Sequence, residues 1–169
     1  TRVCSIMLLG KYENPTALNG VATGLSDPHV RVRRAALVSL IEIQAAMPSH
    51  AVQPILLMLS DEDAEIRRMV SSSLAMLINL WNSYHRGSQL IPLRPTMPLT
   101  VRQRFINAFL DEDVVVRRNM LSYYFYLGIQ LPETILLFLL EDDDDRVRLE
   151  ALRLSARITR HSTVIKIAD

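Results

Sequence analysis

The residues of this chain that could do chemistry are few and scattered. Cys4 is the single cysteine, and a cysteine becomes a nucleophile only where a base or a positive charge favours the thiolate. The sequence supplies no activating partner for it. The acidic run from Glu141 to Asp145 suggests calcium, but it lacks the alternating ligands and the glycine of a calcium loop. A charged turn explains the run better.

Histidine, serine and nucleotide-binding patterns point to no reaction either. The histidines are His29, His50, His85 and His161. Each is isolated, with no Cys, Asp or Glu at metal-ligand spacing on one helix face. No nucleophile elbow, glycine-rich oxyanion turn or phosphate-binding loop occurs. The sequence therefore predicts a protein that is not an enzyme, holds no cofactor or metal, and acts on no small-molecule substrate.

Charge narrows the choice of partners. The chain has 19 Lys plus Arg against 18 Asp plus Glu, a net charge of +1, so no bulk field draws it to nucleic acid or to an acidic membrane. Only Lys11 and Lys166 are lysines. Arginine is preferred where planar, bidentate hydrogen bonds to carboxylates matter. This bias indicates defined pairs of arginine and carboxylate.

Location follows from what the sequence lacks. No signal peptide and no uncharged apolar run of about 18 residues is present, so no membrane span is expected. Cys4 has no second cysteine with which to form an internal disulfide. These features predict an intracellular, cytoplasmic protein, with the nucleus as an alternative. Because the chain begins at Thr1 rather than Met, they do not describe a parent protein.

Repeated segments must position the charged side chains. Four segments align without gaps on an Asp that is followed by a β-branched residue five positions later and by an arginine six positions later. The Asp–Arg pairs are Asp27 with Arg33, Asp61 with Arg67, Asp111 with Arg117, and Asp142 with Arg148. The steps between the aspartates are 34, 50 and 31 residues. A period of this size is typical of helical repeat proteins.

Apolar residues recur at four-residue spacing after each Asp, which places them on one helix face. They are Val32, Ala36 and Leu40; Ile66, Val70 and Leu74; Val116, Met120 and Tyr124; and Val147 and Ala151. A shorter apolar helix precedes each Asp, as in 51–59 and 133–140. Asp27 followed by Pro28 predicts an N-cap and first helical residue, and the other three aspartates are expected to cap in the same way. The unit is helix, tight turn, helix.

The pattern Leu-x-Asp-x-x-x-x-Val-Arg-x-x-Ala resembles the HEAT repeat, particularly the short form found in phycobilisome-lyase-like HEAT proteins. The resemblance implies an all-α, right-handed α-solenoid of stacked helix pairs, with about four repeats. A leading half repeat would hold Arg2 in the position of Arg33. Residues 1–169 would form a single solenoid, a piece of a larger protein. The long 50-residue step predicts an inter-repeat insertion loop at 82–98.

The resemblance also divides the charged residues into two groups. The Asp and Arg of the consensus would form a ladder of hydrogen bonds between successive repeats. Arginines four, seven and eleven positions after each Asp share the face turned away from the core stripe, which in HEAT solenoids lines the concave side. This second group, predicted to bind a partner, is Arg31, Arg34, Arg68, Arg118, Arg146, Arg153 and, one turn on, Arg157.

Three functions remain as hypotheses. The first is a non-catalytic scaffold that binds a protein partner, such as an acidic segment, on the concave face with Arg34, Arg68 and Arg118 at its centre. The alternative is a nucleic-acid-binding solenoid, since an arginine-rich groove can follow phosphates. The third is a bilin lyase-type HEAT protein, for which the sequence has no distinct chromophore motif.

Overall fold

The computed structural model describes residues 1–12, 14–42, 49–74, 76–77, 98–127 and 131–167, and within these ranges it is helical without strands. The predicted all-α class is therefore confirmed for the described part of the chain. The helices are α1 Arg2–Leu9, α2 Pro15–Thr23, α3 Val30–Glu42, α4 Ser49–Leu57, α5 Ala64–Ser72, α6 Leu99–Ala108, α7 Val114–Leu127, α8 Glu133–Leu140 and α9 Asp145–Ile167.

The helices after α1 form consecutive pairs, α2–α3, α4–α5, α6–α7 and α8–α9, which we call helix pairs. The second helices contact one another, α5 with α7 and α7 with α9, while α1 contacts α3. The first helices make their own row, in which α2 contacts α4 and α4 contacts α6. Each helix pair that is followed by another therefore contacts that next pair through at least one of its helices.

The core follows the four-residue stripe that the sequence predicts. Ten of its eleven positions are buried, and Tyr124 is partly buried with its ring edge against Phe109. The first helices contribute the other half, including Ile55 and Phe105, which have no exposed surface. Burying a large apolar side chain stabilises the fold by about 1.5–3 kcal/mol. One continuous apolar core thus runs from α1 to α9.

The helix starts differ from the sequence expectation. The second helix α5 is capped by Asp63, whose carboxylate accepts from the backbone N–H of Glu65 and Ile66. Asp113 and Asp144 accept in the same way at the starts of α7 and α9. The prediction that the repeat Asp is the N-cap is wrong, because the cap lies two residues later.

The repeat Asp instead forms the turn that precedes the cap. Oδ1 of Asp61 accepts from the N–H of Asp63 at 2.9 Å, and Asp27 accepts from His29 in the same way. Such a turn between an Asp side chain and the N–H two residues later is a common local arrangement. Since α3 begins at Val30, Pro28 lies in the turn and is not the first helical residue. The carboxylate is left pointing at the neighbouring helix pair.

Small residues allow the helices to approach at one point. Gly24 ends α2 with backbone close to α1 and α3, where an added Cβ would lie 2.8 Å from Ile6 Cδ1 and 2.9 Å from Ala36 Cβ. A side chain there would force its neighbours apart.

The predicted insertion at 82–98 lies outside the described residues except for Pro98, which precedes α6.

Candidate interaction site

The turns between helices carry a row of charged pairs that join each helix pair to the next. Arg33 on α3 donates from Nε to Oδ2 of Asp61 at 2.8 Å and from Nη2 to Oδ1 at 2.9 Å. Its Nη1 donates to the backbone carbonyls of its own turn, at Asp27 and Pro28. One guanidinium therefore fastens its own turn to the next, which a lysine ammonium could not do with the same geometry.

The same arrangement recurs twice. Arg67 binds Asp111 through Nε at 2.7 Å and Nη2 at 3.1 Å, and Arg117 binds Asp142 through Nε and Nη2, both at 2.7 Å. In each case Nη1 donates to two backbone carbonyls of the arginine's own turn, just before its helix. We call the consensus aspartates and arginines, together with Arg2, the ladder.

Hydrogen bonds within the ladder favour the charged forms of Arg33, Arg67 and Asp142. The hydrogen bonds that Arg33 donates to Asp61 and Arg67 donates to Asp111 raise the pKa values of the two arginines despite the opposing effect of burial. Burial alone would raise the pKa of Asp142, but the hydrogen bond from Arg117, the N–H of Asp144 and the nearby arginine charges lower it overall. Arg33, Arg67 and Asp142 are engaged by contacts within the chain and are not available to a partner.

The two ends of the ladder are incomplete. At the first end, Nε of Arg2 lies 3.3 Å from Oδ2 of Asp27 in a half-exposed ion pair. At the other end, Arg148 donates through Nη1 to the carbonyls of Asp142 and Asp143. Within the described ranges, no carboxylate meets its remaining donors. Arg148 is exposed, whereas Arg33 and Arg67 are buried.

The arginine seven positions after each Asp forms a second row, and its members differ. Arg34 makes two hydrogen-bonding contacts of 2.7 Å with Glu65 of the next helix pair. Arg68 pairs with Asp113. Arg118, at the same repeat position on α7, pairs with no carboxylate in the described part of the chain. Of the three arginines predicted at the centre of the binding face, two thus have partners within the fold.

A groove between α7 and α9 lies one turn beyond Arg118. It has a volume of about 310 Å³ and is lined by residues of both helices. The lining residues are Leu121, Ser122, Glu150, Arg153, Leu154, Ala156 and Arg157. Arg153 donates to Glu150 at 2.6 Å and its side chain remains well exposed. The structure therefore brings Arg153 and Arg157 to one groove, with Glu150 as the only acid among its lining residues. Arg118 precedes the α7 part of that lining, Leu121 and Ser122, by one helical turn.

The remaining predicted binding arginines lie elsewhere. Arg31 is exposed near the start of α3, where it lines an open cavity of about 900 Å³ with Arg2, His29 and Glu62. Arg146 is exposed in the first turn of α9. Between these residues, Glu65 and Asp113 pair with Arg34 and Arg68 and so interrupt the row of positive charge.

Sequence reasoning missed the pairs made by the second row. The signal was present, since Glu65 and Asp113 follow the next Asp by four and two positions. It also missed Asn119, which donates to the hydroxyls of Ser71 and Ser72 and joins α7 to α5. Nothing in a single sequence distinguishes Asn119 from a solvated residue.

The described residues contain no group of three or more His, Cys, Asp or Glu side chains placed to hold a metal ion. None of the helices described is both long enough and apolar enough to cross a bilayer.

Comparison with known proteins adds no assignment. No protein-family model matches the chain, and a search of curated proteins finds no match. The resemblance to HEAT repeats therefore depends on the sequence pattern described above.

Proposed function

We propose that this chain is a non-catalytic scaffold, a right-handed α-solenoid of HEAT-like repeats that binds an acidic protein segment along its second helices. The observation that carries the proposal is the contrast between Arg118 and its counterparts. Arg34 and Arg68 each have a carboxylate partner in the next helix pair, whereas Arg118 has none within the described residues. A partner carboxylate would supply what the fold itself supplies at the two other positions.

The surroundings of Arg118 support an extended anionic ligand. Arg153 and Arg157 follow one another by a turn on α9 and line the adjacent groove with Leu121 and Leu154. A segment with acidic side chains at helical or extended spacing would meet the guanidinium groups that line this groove, above the buried side chains of Leu121 and Leu154. Each charge-assisted hydrogen bond contributes about 1.5–3 kcal/mol. Helical repeat proteins use such surfaces to hold extended partners.

The nucleic-acid alternative receives less support from these contacts. Phosphate tracking needs a run of arginines free to meet successive phosphates. Ion pairs with Glu65 and Asp113 neutralise the middle of that run, and the net charge is only +1. The proposal therefore places the binding surface in the α7–α9 groove and makes the partner a protein.

Fluorescence anisotropy with a labelled oligoglutamate peptide tests the proposal. The double variant Arg118→Gln with Arg153→Gln should weaken binding by about tenfold or more. The matched control is Arg104→Gln, which removes one exposed arginine on α6 and should change affinity by less than about twofold. Equal losses in both variants would show a non-specific charge effect and contradict the proposed site.

A second titration separates the two classes of partner. A mixed-sequence DNA duplex replaces the peptide, and affinity is measured over a range of salt concentrations. We expect weak binding to the duplex at physiological salt. Tight binding whose logarithm falls steeply with the logarithm of salt concentration would favour the nucleic-acid function instead.

A further inference from the structure

The helix pair α8–α9 carries a guanidinium whose carboxylate-binding edge is unused. Arg148 keeps the two backbone contacts that its counterparts make through Nη1, at 2.7 Å to Asp142 and 2.9 Å to Asp143. These contacts hold the side chain in the orientation seen in Arg33, Arg67 and Arg117. In those three residues Nε and Nη2 grip an Asp of the following helix pair. No described carboxylate does so for Arg148.

The apolar surface beside Arg148 is also exposed, because no described helix pair packs against it. At the position ten residues after the repeat Asp, Leu37 and Ser71 have no exposed surface and Leu121 is 5% exposed. Leu152 occupies this position on α9 and is 58% exposed. The first three residues are followed in the structure by another helix pair.

The first helix α8 shows the same change. Leu56, five positions before Asp61, is 2% exposed, and its counterpart Ile106 is partly buried against the core. Leu137 has the equivalent place before Asp142 and is 55% exposed, with Phe138 beside it exposed to the same extent. Both helices of the pair therefore expose an apolar side chain at a position that is covered in the preceding helix pairs.

We propose that the outer face of α8–α9 is a docking surface for a helix pair of another polypeptide segment, whose inter-helix turn carries an Asp followed by Glu. The Asp would take both Nε and Nη2 of Arg148. The Glu would add the contact that Glu62 and Glu112 make with Arg33 and Arg67, at 2.9 and 2.8 Å. The apolar face of the incoming helices would cover Leu137 and Leu152.

The Asp of this ligand corresponds to a contact that the chain already makes three times, and the Glu to one that it makes twice. An Asp at a turn is needed because its Oδ1 is fixed by the N–H two residues on, as in Asp61 and Asp111, and both oxygens then face the guanidinium. A second copy of this chain does not meet the requirement. Each of its four repeat aspartates already lies against an arginine of its own ladder.

This surface is separate from the acidic-segment groove. Arg153 lines the groove between α7 and α9, whereas Arg148 and Leu152 are exposed and are not among its lining residues. Loss of oligoglutamate binding would leave this proposal intact, and failure of the experiment below would leave the groove intact.

The test uses the full 169-residue chain and a labelled synthetic peptide of residues 98–127 as the probe. That peptide contains α6, the Asp111–Glu112 turn and α7, the helix pair that follows Arg67 in the structure. We expect saturable binding that Arg148→Gln weakens by about tenfold or more. Asp111→Asn in the probe should weaken binding to the same extent, and the two changes together should cost little more than either alone. The control substitution Arg104→Gln, made in the full chain, should change affinity by less than about twofold.

Because short isolated helices are marginal in water, a tethered form provides a second measurement. The probe is joined to the end of the full chain by a flexible Gly–Ser linker, and alkylation of Leu152→Cys is followed in a Cys4→Ser background. Docking should slow alkylation by about tenfold or more, and Arg148→Gln should restore the rate.

Three results would overturn the proposal. One is equal binding by Arg148→Gln and Arg104→Gln, and another is an alkylation rate that the tethered probe leaves unchanged. The third is self-association of the chain in analytical ultracentrifugation that Arg148→Gln abolishes, which would make a second copy the occupant.

Discussion

Arg33 on α3 and Asp61 at the next turn meet in a bidentate hydrogen-bonded pair, although 28 residues separate them in the chain. Both side chains are almost fully buried. Arg33 also donates to the backbone carbonyls of Asp27 and Pro28, which hold the guanidinium against its own turn. Stability along this chain therefore depends on how each turn joins its neighbour.

Removal of one member of this pair should be costly. Asp61→Ala leaves the buried Arg33 guanidinium with only the exposed Glu62 carboxylate, and we expect the free energy of unfolding to fall by about 3 kcal/mol. The control is Glu62→Gln, whose side chain is 81% exposed and should change stability by less than about 1 kcal/mol. Urea unfolding followed by circular dichroism measures both. Similar losses in the two variants would mean that the bidentate contact contributes little.

The stability lost when a ladder arginine is replaced by lysine should depend on whether that arginine binds a carboxylate. Arg117→Lys cannot reproduce the two parallel hydrogen bonds to Asp142, so we expect a loss of about 1–3 kcal/mol. Arg148→Lys changes the same repeat position where no described carboxylate is bound, and should cost less than about 0.5 kcal/mol. Thermal and urea unfolding of the two variants side by side provide the comparison. A larger effect at Arg148 than at Arg117 would be inconsistent with the ladder as described.

Burial at the position ten residues after the Asp should also decide the effect of truncation. Leu37→Ala removes a side chain with no exposed surface and should destabilise the protein by about 2–5 kcal/mol. Leu152→Ala makes the same change where the side chain is mostly exposed, and we expect less than about 1 kcal/mol. Chemical denaturation of the isolated chain measures both values. Comparable losses would show that Leu152 is covered in solution.

Acid should weaken the connections between helix pairs. The pKa of Asp113 is lowered by its hydrogen bond from Arg68, and the pKa of Asp142 is lowered on balance against burial. A lowered pKa in the folded state means that the stabilisation is fully present above the ordinary value of 3.8. It is lost as the pH falls from there through the folded value. The free energy of unfolding should thus decrease below about pH 4.

Variants at neighbouring aspartates test this assignment. Asp142→Asn removes one of the titrating groups, so its stability should fall less steeply with acid than that of the unaltered chain. Asp143→Asn changes an exposed carboxyl and should keep the original slope. Urea midpoints measured from pH 7 down to about pH 2 give the slopes. An unchanged slope in Asp142→Asn would show that this carboxyl does not contribute.

The sequence alone determined the helices and the repeat register. Four-residue apolar spacing is a local property of helix geometry, so Val32, Ala36 and Leu40 could be placed on a buried face without knowledge of their partners. The Asp-to-Arg spacing was equally visible, because Arg33 contacts its own turn six residues away. The N-cap was misplaced by two residues, since a turn with Asp61 and a cap with Asp63 use the same local chemistry.

Only the tertiary structure decided which charges are already paired. Arg34, Arg68 and Arg118 are indistinguishable as repeat positions, and their environments differ because the next helix pair offers Glu65, Asp113 or no described carboxylate. The exposure of Leu152 is decided in the same way, by whether another helix pair covers it. Pairing and burial depend on residues about 30 to 45 positions away in this chain. Helical periodicity, which extends over a few turns, carries no information about contacts at that separation.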